Sequence, residues 1–126
     1  MPALNFKSQF ANAVIAGTKP CTIRALRKRR FHVDDDLSFF TGMRTKTCRR
    51  LRPNTPCTKA TPIVINRVGR SVVLGSEHLT DSEVDALAHR DGFNTVEEFW
   101  EFFGNRPGPI FYGQLVEWNP SSAPSV

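Results

Sequence analysis

Cysteine is scarce in this chain and poorly placed for cross-linking. The three present, Cys21, Cys48 and Cys57, are odd in number and contain no Cys-x-x-Cys pair, which argues against a disulfide framework and for buried thiols. Cys48 and Cys57 together with His78 or His89 lack the short ligand gaps of a zinc site, so neither a metal nor another cofactor is expected. Long apolar runs are missing too: nothing approaches the ~18 residues of a membrane span, which leaves no membrane partner to expect. The stretch Met1 to Asn5 lacks the basic-then-apolar order of a secretory signal, pointing to a cytoplasmic location. No internal repeat is visible.

Acidic residues are the other shortage, and it is local. Residues 1–59 contain only Asp34, Asp35 and Asp36 against 13 of the 17 Lys and Arg, a net charge of +10, whereas residues 60–126 carry nine acids and a net charge of −5. Segregation of this kind in a chain of pI 9.6 is the electrostatic footprint of a nucleic-acid binder, although a solvated basic surface gives the same numbers. The chain has 126 residues, 40% of them apolar, with ten phenylalanines. That is enough for one folded domain over residues 1–118, followed by a Ser- and Pro-rich tail, 119–126, expected to be disordered.

Leu4-Asn5-Phe6 reads as a short strand, followed by a helix with Ser8 as candidate cap, Phe10, Val14 and Ile15 on one face and Gly17 as its αL stop. Thr22-Ile23 begins a second strand. The basic run Arg27-Lys28-Arg29-Arg30 and the acidic turn Asp34-Asp35-Asp36 predict a charged hairpin tip before a core strand at Leu37–Phe40. Residues 41–56 combine basic and hydroxyl side chains with Gly and Pro, which predicts an exposed, mobile loop. The β-rich runs 60–66 and 71–74, separated by Gly69, predict a hairpin. Thr80 and Glu83 form a capping box, with Leu79 and Val84 at staple positions, so a helix is expected from about Asp81 to Arg90. Asp91-Gly92 ends it. A cap at Asn94 or Thr95 begins another helix, whose Phe99, Trp100, Phe102 and Phe103 read as core. Glu97, Glu98 and Glu101 are expected to face solvent, and residues 110–118 read as a closing strand. Short links between neighbouring strands favour an α+β fold with a curved or barrel-like mixed sheet over a doubly wound one.

The residues with the most chemistry are Gly17-Thr18-Lys19-Pro20-Cys21-Thr22-Ile23-Arg24. Pro20 keeps Lys19 out of the helical region, and strand alternation puts Thr22 and Arg24 on one face with Cys21 and Ile23 on the other. Lys19 has the wrong parity to join Thr22 unless the turn swings it across.

With the Gly-x-Lys-x-x-Thr-Ile-Arg pattern in view, the chain resembles the ASCH family of the PUA-like superfamily over nearly its whole length. Further carriers of the likeness are Phe10, Ile15, the strand entry Asp36-Leu37, Leu87-Ala88, Asp91-Gly92-Phe93, and Phe111 to Trp118. Small stand-alone proteins of this look, with a Thr-Gly-Met-Arg-Thr-Lys loop like residues 41–46, are common in phages. The resemblance implies a small curved β-barrel with one N-terminal helix and two adjacent helices in the second half. It also implies a cleft that binds RNA or another nucleic acid, with Lys19, Arg24, Arg27, Lys28, Arg29, Arg30, Arg44, Lys46, Arg49 and Arg50 supplying charge. Tyr112 or a tryptophan is a candidate for stacking on a base. A second implication is amide hydrolysis of N4-acetylcytidine or a related modified nucleoside. In that reading Lys19 serves as general base to Thr22, and Asp91 stands where the family has a glutamate, one methylene longer. Bland alternatives are a plain strand hydroxyl at Thr22 and an Arg24–Asp91 pair that closes the barrel. A third functional class is a phage-encoded protein-interaction or inhibitor module, its protein partner unspecified.

Overall fold

A computed structural model describes residues 2–106 and 108–121; residues 122–126, most of the expected tail, lie outside them. The elements are β1 (Ala3–Phe6), α1 (Ser8–Ala16), β2 (Cys21–Ala25), β3 (Asp36–Thr41), β4 (Arg49–Asn66), β5 (Ser71–Leu74), β6 (Glu77–His78), α2 (Asp81–Arg90), α3 (Val96–Gly104) and β7 (Ile110–Trp118). The result is a mixed α+β fold with three helices against one mixed sheet, and no helix of the described residues is long and apolar enough to cross a membrane.

β4 organises the sheet. Its first half pairs antiparallel with β3, and its second half lies between β7 and β5. Register shifts at Leu37/Phe39 and Cys57/Lys59 let this 18-residue strand change partners along its length. The expected loop over 41–56 is therefore confined to about residues 42–48, and Arg49–Pro56 is strand. Pro53 and Pro56 read as breakers, yet a bulged strand tolerates residues that donate no ladder bond.

β1 adds in parallel to β3, and β2 adds antiparallel to β7. The predicted hairpin between the Thr22 strand and Leu37–Phe40 does not form. Instead the connecting segment is held by Gln114, whose side-chain amide accepts from Phe31 N and donates to Phe31 O, both at 3.0 Å. The sheet thus curls without closing: among the described residues no ladder joins β1 to β2. Across that seam Arg24 Nη1 donates to Asn5 O at 3.0 Å.

Inside the curl, Phe39 lies 4.9 Å from Trp118 and 6.3 Å from Phe6, ring centre to ring centre. A second aromatic chain, Phe10–Phe93–Phe99–Phe103–Phe111, ties α1, the α2–α3 connection, α3 and β7 together at 4.9–5.8 Å. Each fully buried ring, such as Phe99, contributes about 1.5–3 kcal/mol. α2 begins with the capping box at Thr80 and Glu83, and Thr95 caps α3. α1 is capped differently: Lys7, not Ser8, is the cap residue and makes no side-chain bond, while Gly17 at φ 81° ends the helix.

Candidate nucleotide pocket

The open seam becomes a cavity of about 300 Å³ between β1, β2 and the helices, at the small end of ligand clefts. Lys19 reaches it because the turn after α1 is tightly held: Thr18 N and Lys19 N both donate to Ala13 O, and Pro20 O accepts from Trp118 N. Its side chain then crosses to the end of α2. There Lys19 Nζ donates to Asp91 O at 2.5 Å and to Asp91 Oδ1 at 2.6 Å, with both residues buried. The ammonium also lies 4.8 Å from the Phe10 ring centre, a favourable placement for a cation out of water. Gly92 makes room for this stem. Its φ is +97°, and a Cβ would come within 3.0 Å of both Lys19 Cδ and Phe10. Asp91 is thus the partner of Lys19; Arg24 takes Thr22 and Asn5 instead.

Thr22 and Arg24 share a strand face, as alternation requires, and Arg24 Nε donates to Thr22 Oγ1 at 3.1 Å. Thr22 Oγ1 accepts that hydrogen at the cavity wall. The guanidinium stacks over Phe6 at 4.9 Å. Burial lowers its pKa to about 10, outweighing the opposing pull of Asp91, so it stays charged at neutral pH. Burial also raises the Asp91 carboxyl above the usual carboxylate range, against the attraction of Lys19, Arg24 and Arg90. Cys21, facing away from Thr22, is pushed up to about 12 by burial and the nearby Asp91 charge. It is a buried thiol, not a nucleophile.

Lys19, Thr22, Arg24 and Asp91 all line the cavity. The other predicted cations do not. Arg27, Lys28, Arg29 and Arg30 are exposed on the β2–β3 connection, Arg44 and Lys46 on the 42–48 loop, and Arg49 and Arg50 at the start of β4. Arg49 lines a groove beside the cavity, whereas Arg50 bonds Asn54 and stacks on Phe40. Tyr112 is 57% exposed and lies outside the cavity; Trp100 and Trp118 are buried. Cys48 is exposed, Cys57 is buried, and no group of three or more His, Cys, Asp or Glu suited to a metal occurs among the described residues.

Sequence reasoning missed Lys7 and Arg106, which also line the cavity. Lys7 sits 4.8 Å over Phe102, and Arg106 5.2 Å over Phe111. Neither stands in a motif. Phe102, read as core, is only partly buried and forms wall beside Phe6, Phe10 and Phe93. Lys7, Lys19, Arg24 and Arg106 face one carboxylate, Asp91, so the cavity carries a formal charge of about +3. Compared with family models, curated proteins and solved structures, the chain matches none.

Proposed function

We propose that this chain is a nucleic-acid-binding domain of the ASCH type, a PUA-like barrel left open at the β1–β2 seam, that takes one nucleotide of an RNA strand into the seam cavity. The observation that carries this is the wall itself: four cations and one carboxylate around a recess lined by Phe6, Phe10, Phe93 and Phe102. Aromatic rings offer faces or edges to a base, and the surplus of cations offers charge-assisted donors to its phosphate. The exposed cations Arg27–Arg30 add long-range attraction. Fluorescence anisotropy with short single-stranded RNA tests it. Affinity should fall steeply with salt, and Arg24→Glu should weaken it more than charge reversal at Arg27–Arg30. Salt-insensitive or absent binding overturns the proposal.

A second reading, hydrolysis of an N4-acyl cytidine, is favoured by the presence of Lys19, Thr22 and Asp91 in one cavity. Thr22 Oγ1 would attack the amide carbon as its proton passes to a neutral Lys19 amine, which hands it to the departing cytosine N4; water then cleaves the acetyl–Thr22 ester to free acetate. Asp91 holds the Lys19 amine through two hydrogen bonds. Incubation with N4-acetylcytidine should then release cytidine and acetate, and Lys19→Ala and Thr22→Ala should each abolish release. Unchanged rates in both variants would remove this reading.

A further inference from the structure

Two grooves open from the cavity past Lys7, and they differ in charge. One, of about 600 Å³, runs between the start of α1 and the 42–48 loop; it shares Asn5, Phe6 and Lys7 with the cavity and continues to Thr41, Thr47 and Arg49. No acid lines it. The other, of about 470 Å³, shares Lys7, Phe10, Phe93 and Phe102 with the cavity but runs on to Glu98 and Glu101. A phosphodiester in that second groove would meet two carboxylates, and each like-charge contact opposes binding.

Asn5 joins the first groove to the cavity mechanically. Its carbonyl accepts from Arg24 Nη1, and its side-chain Oδ1 accepts from Met43 N, each at 3.0 Å. The loop carrying Arg44 and Lys46 is thereby anchored at the cavity mouth. The loop is internally braced as well: Thr45 Oγ1 lies 2.6 Å from Gly42 O and 2.9 Å from Thr47 Oγ1. Arg44 is held at φ 66°, a conformation uncommon for a residue with a side chain. One polar residue therefore contacts both the cation that faces the base pocket and the loop whose Gly42 and Thr47 line the exit.

Resting on the nucleotide-pocket reading, we propose that the ligand is polymeric and single-stranded, and that it leaves the cavity by the cationic groove alone. Its next phosphates pass Lys7 and reach Arg49, beside the loop that carries the exposed Arg44 and Lys46. The strand's direction is set by charge: Glu98 and Glu101 close one exit while Arg49 opens the other.

The test compares adenosine, cytidine, guanosine and uridine 5′-monophosphates with a single-stranded RNA pentamer of mixed sequence. The pentamer should bind at least about tenfold more tightly than any mononucleotide. Arg49→Glu, and separately Arg44→Glu with Lys46→Glu, should erase that gain while leaving mononucleotide affinity unchanged and flattening the salt slope by ~0.7 per phosphate lost. Glu98→Gln with Glu101→Gln should change neither. A pentamer that binds no better than a mononucleotide overturns the track, as does a gain that survives both reversals. So does a pentamer strengthened by the glutamine variant while Arg49→Glu is silent. Failure of the underlying pocket looks different: neither probe binds, or both bind and Arg24→Glu is without effect. All substituted side chains in the groove and loop are exposed, and circular dichroism verifies that each variant is folded.

Discussion

Lys19 and Asp91, 72 residues apart, form a buried ion pair in which one ammonium serves two oxygens of the same residue, carboxylate and carbonyl. The pair fastens the turn after α1 to the end of α2 and supplies the floor of the cavity. Removing one partner strands the other out of water, at a cost of about 3–5 kcal/mol, whereas removing both together costs much less. Lys19→Met should therefore lower stability strongly in urea titration, whereas Asp91→Asn keeps both acceptors and removes a charge that burial disfavours, so it should cost less, and the double variant should lie short of their sum. Strict additivity would show the pair to be energetically uncoupled.

Arg24 makes contacts that lysine cannot copy. Nε binds Thr22 while Nη1 spans to Asn5 O, and the flat guanidinium stacks on Phe6. An ammonium keeps the charge but loses the fork and the stacking. Arg24→Lys should weaken RNA binding by roughly tenfold, the value of one hydrogen bond to a charged group at ~1.5 kcal/mol. Stability should fall by about 1–3 kcal/mol, since the seam has no backbone ladder in reserve. Equal affinity for both proteins would mean that charge alone matters there.

Local pattern made much of this fold legible. The helix Asp81–Arg90 and the strand Ile110–Trp118 follow from a capping box and a run rich in aromatic and aliphatic side chains, and both agree with the structure to the residue. Thr22 and Arg24 share a face because strand alternation has no alternative. Partner choice was not legible: β2 pairs with β7 about ninety residues later, and nothing near Thr22 encodes that. β4 was hidden by its prolines and by basic residues that resemble a loop. Lys7 and Arg106 were invisible for the same reason as the β2–β7 pairing, since only folding gathers them around Phe102 and Phe111. Asp91 was a candidate by position alone. Its bond to Lys19 depends on a turn that moves a side chain of the wrong parity across the seam.

The glycines of the site separate space from conformation. At Gly113 a Cβ would sit 2.3 Å from Arg24 O and 2.7 Å from Phe111, so Gly113→Ala must pry β2 from β7. We expect a loss of about 3 kcal/mol, the upper end for overpacking, together with weaker RNA binding as Arg24 shifts. Gly92→Ala meets both a positive φ and the Lys19 stem and should cost about 1–3 kcal/mol. Gly104, at the end of α3, has no atom within 4 Å of the place a Cβ would take; Gly104→Ala should be neutral or up to ~1 kcal/mol stabilising. Thermal denaturation of the three proteins gives the ranking, and a Gly113→Ala as stable as Gly104→Ala would contradict the β2–β7 contact.

The raised Asp91 carboxyl sets a direction for pH dependence. Between the ordinary aspartate value and its raised value, the folded protein holds a proton that the unfolded chain has released. The Asp91 contribution to stability is therefore fully present below the ordinary value and declines as pH rises through the raised one. Binding moves the same way. Protonation removes the one carboxylate among four cations, and a unit charge about 8 Å from a phosphate at an effective dielectric near 20 is worth ~2 kcal/mol. Affinity for an RNA oligonucleotide should thus increase, by up to roughly thirtyfold, as pH falls through the Asp91 transition. An oligouridine without a terminal phosphate serves as the probe, since neither its bases nor its internal phosphodiesters titrate on the acid side. Asp91→Asn should lose this increase. Anisotropy titrations of both proteins at constant ionic strength measure the difference, and identical pH profiles would mean that Asp91 does not change charge where the ligand can sense it.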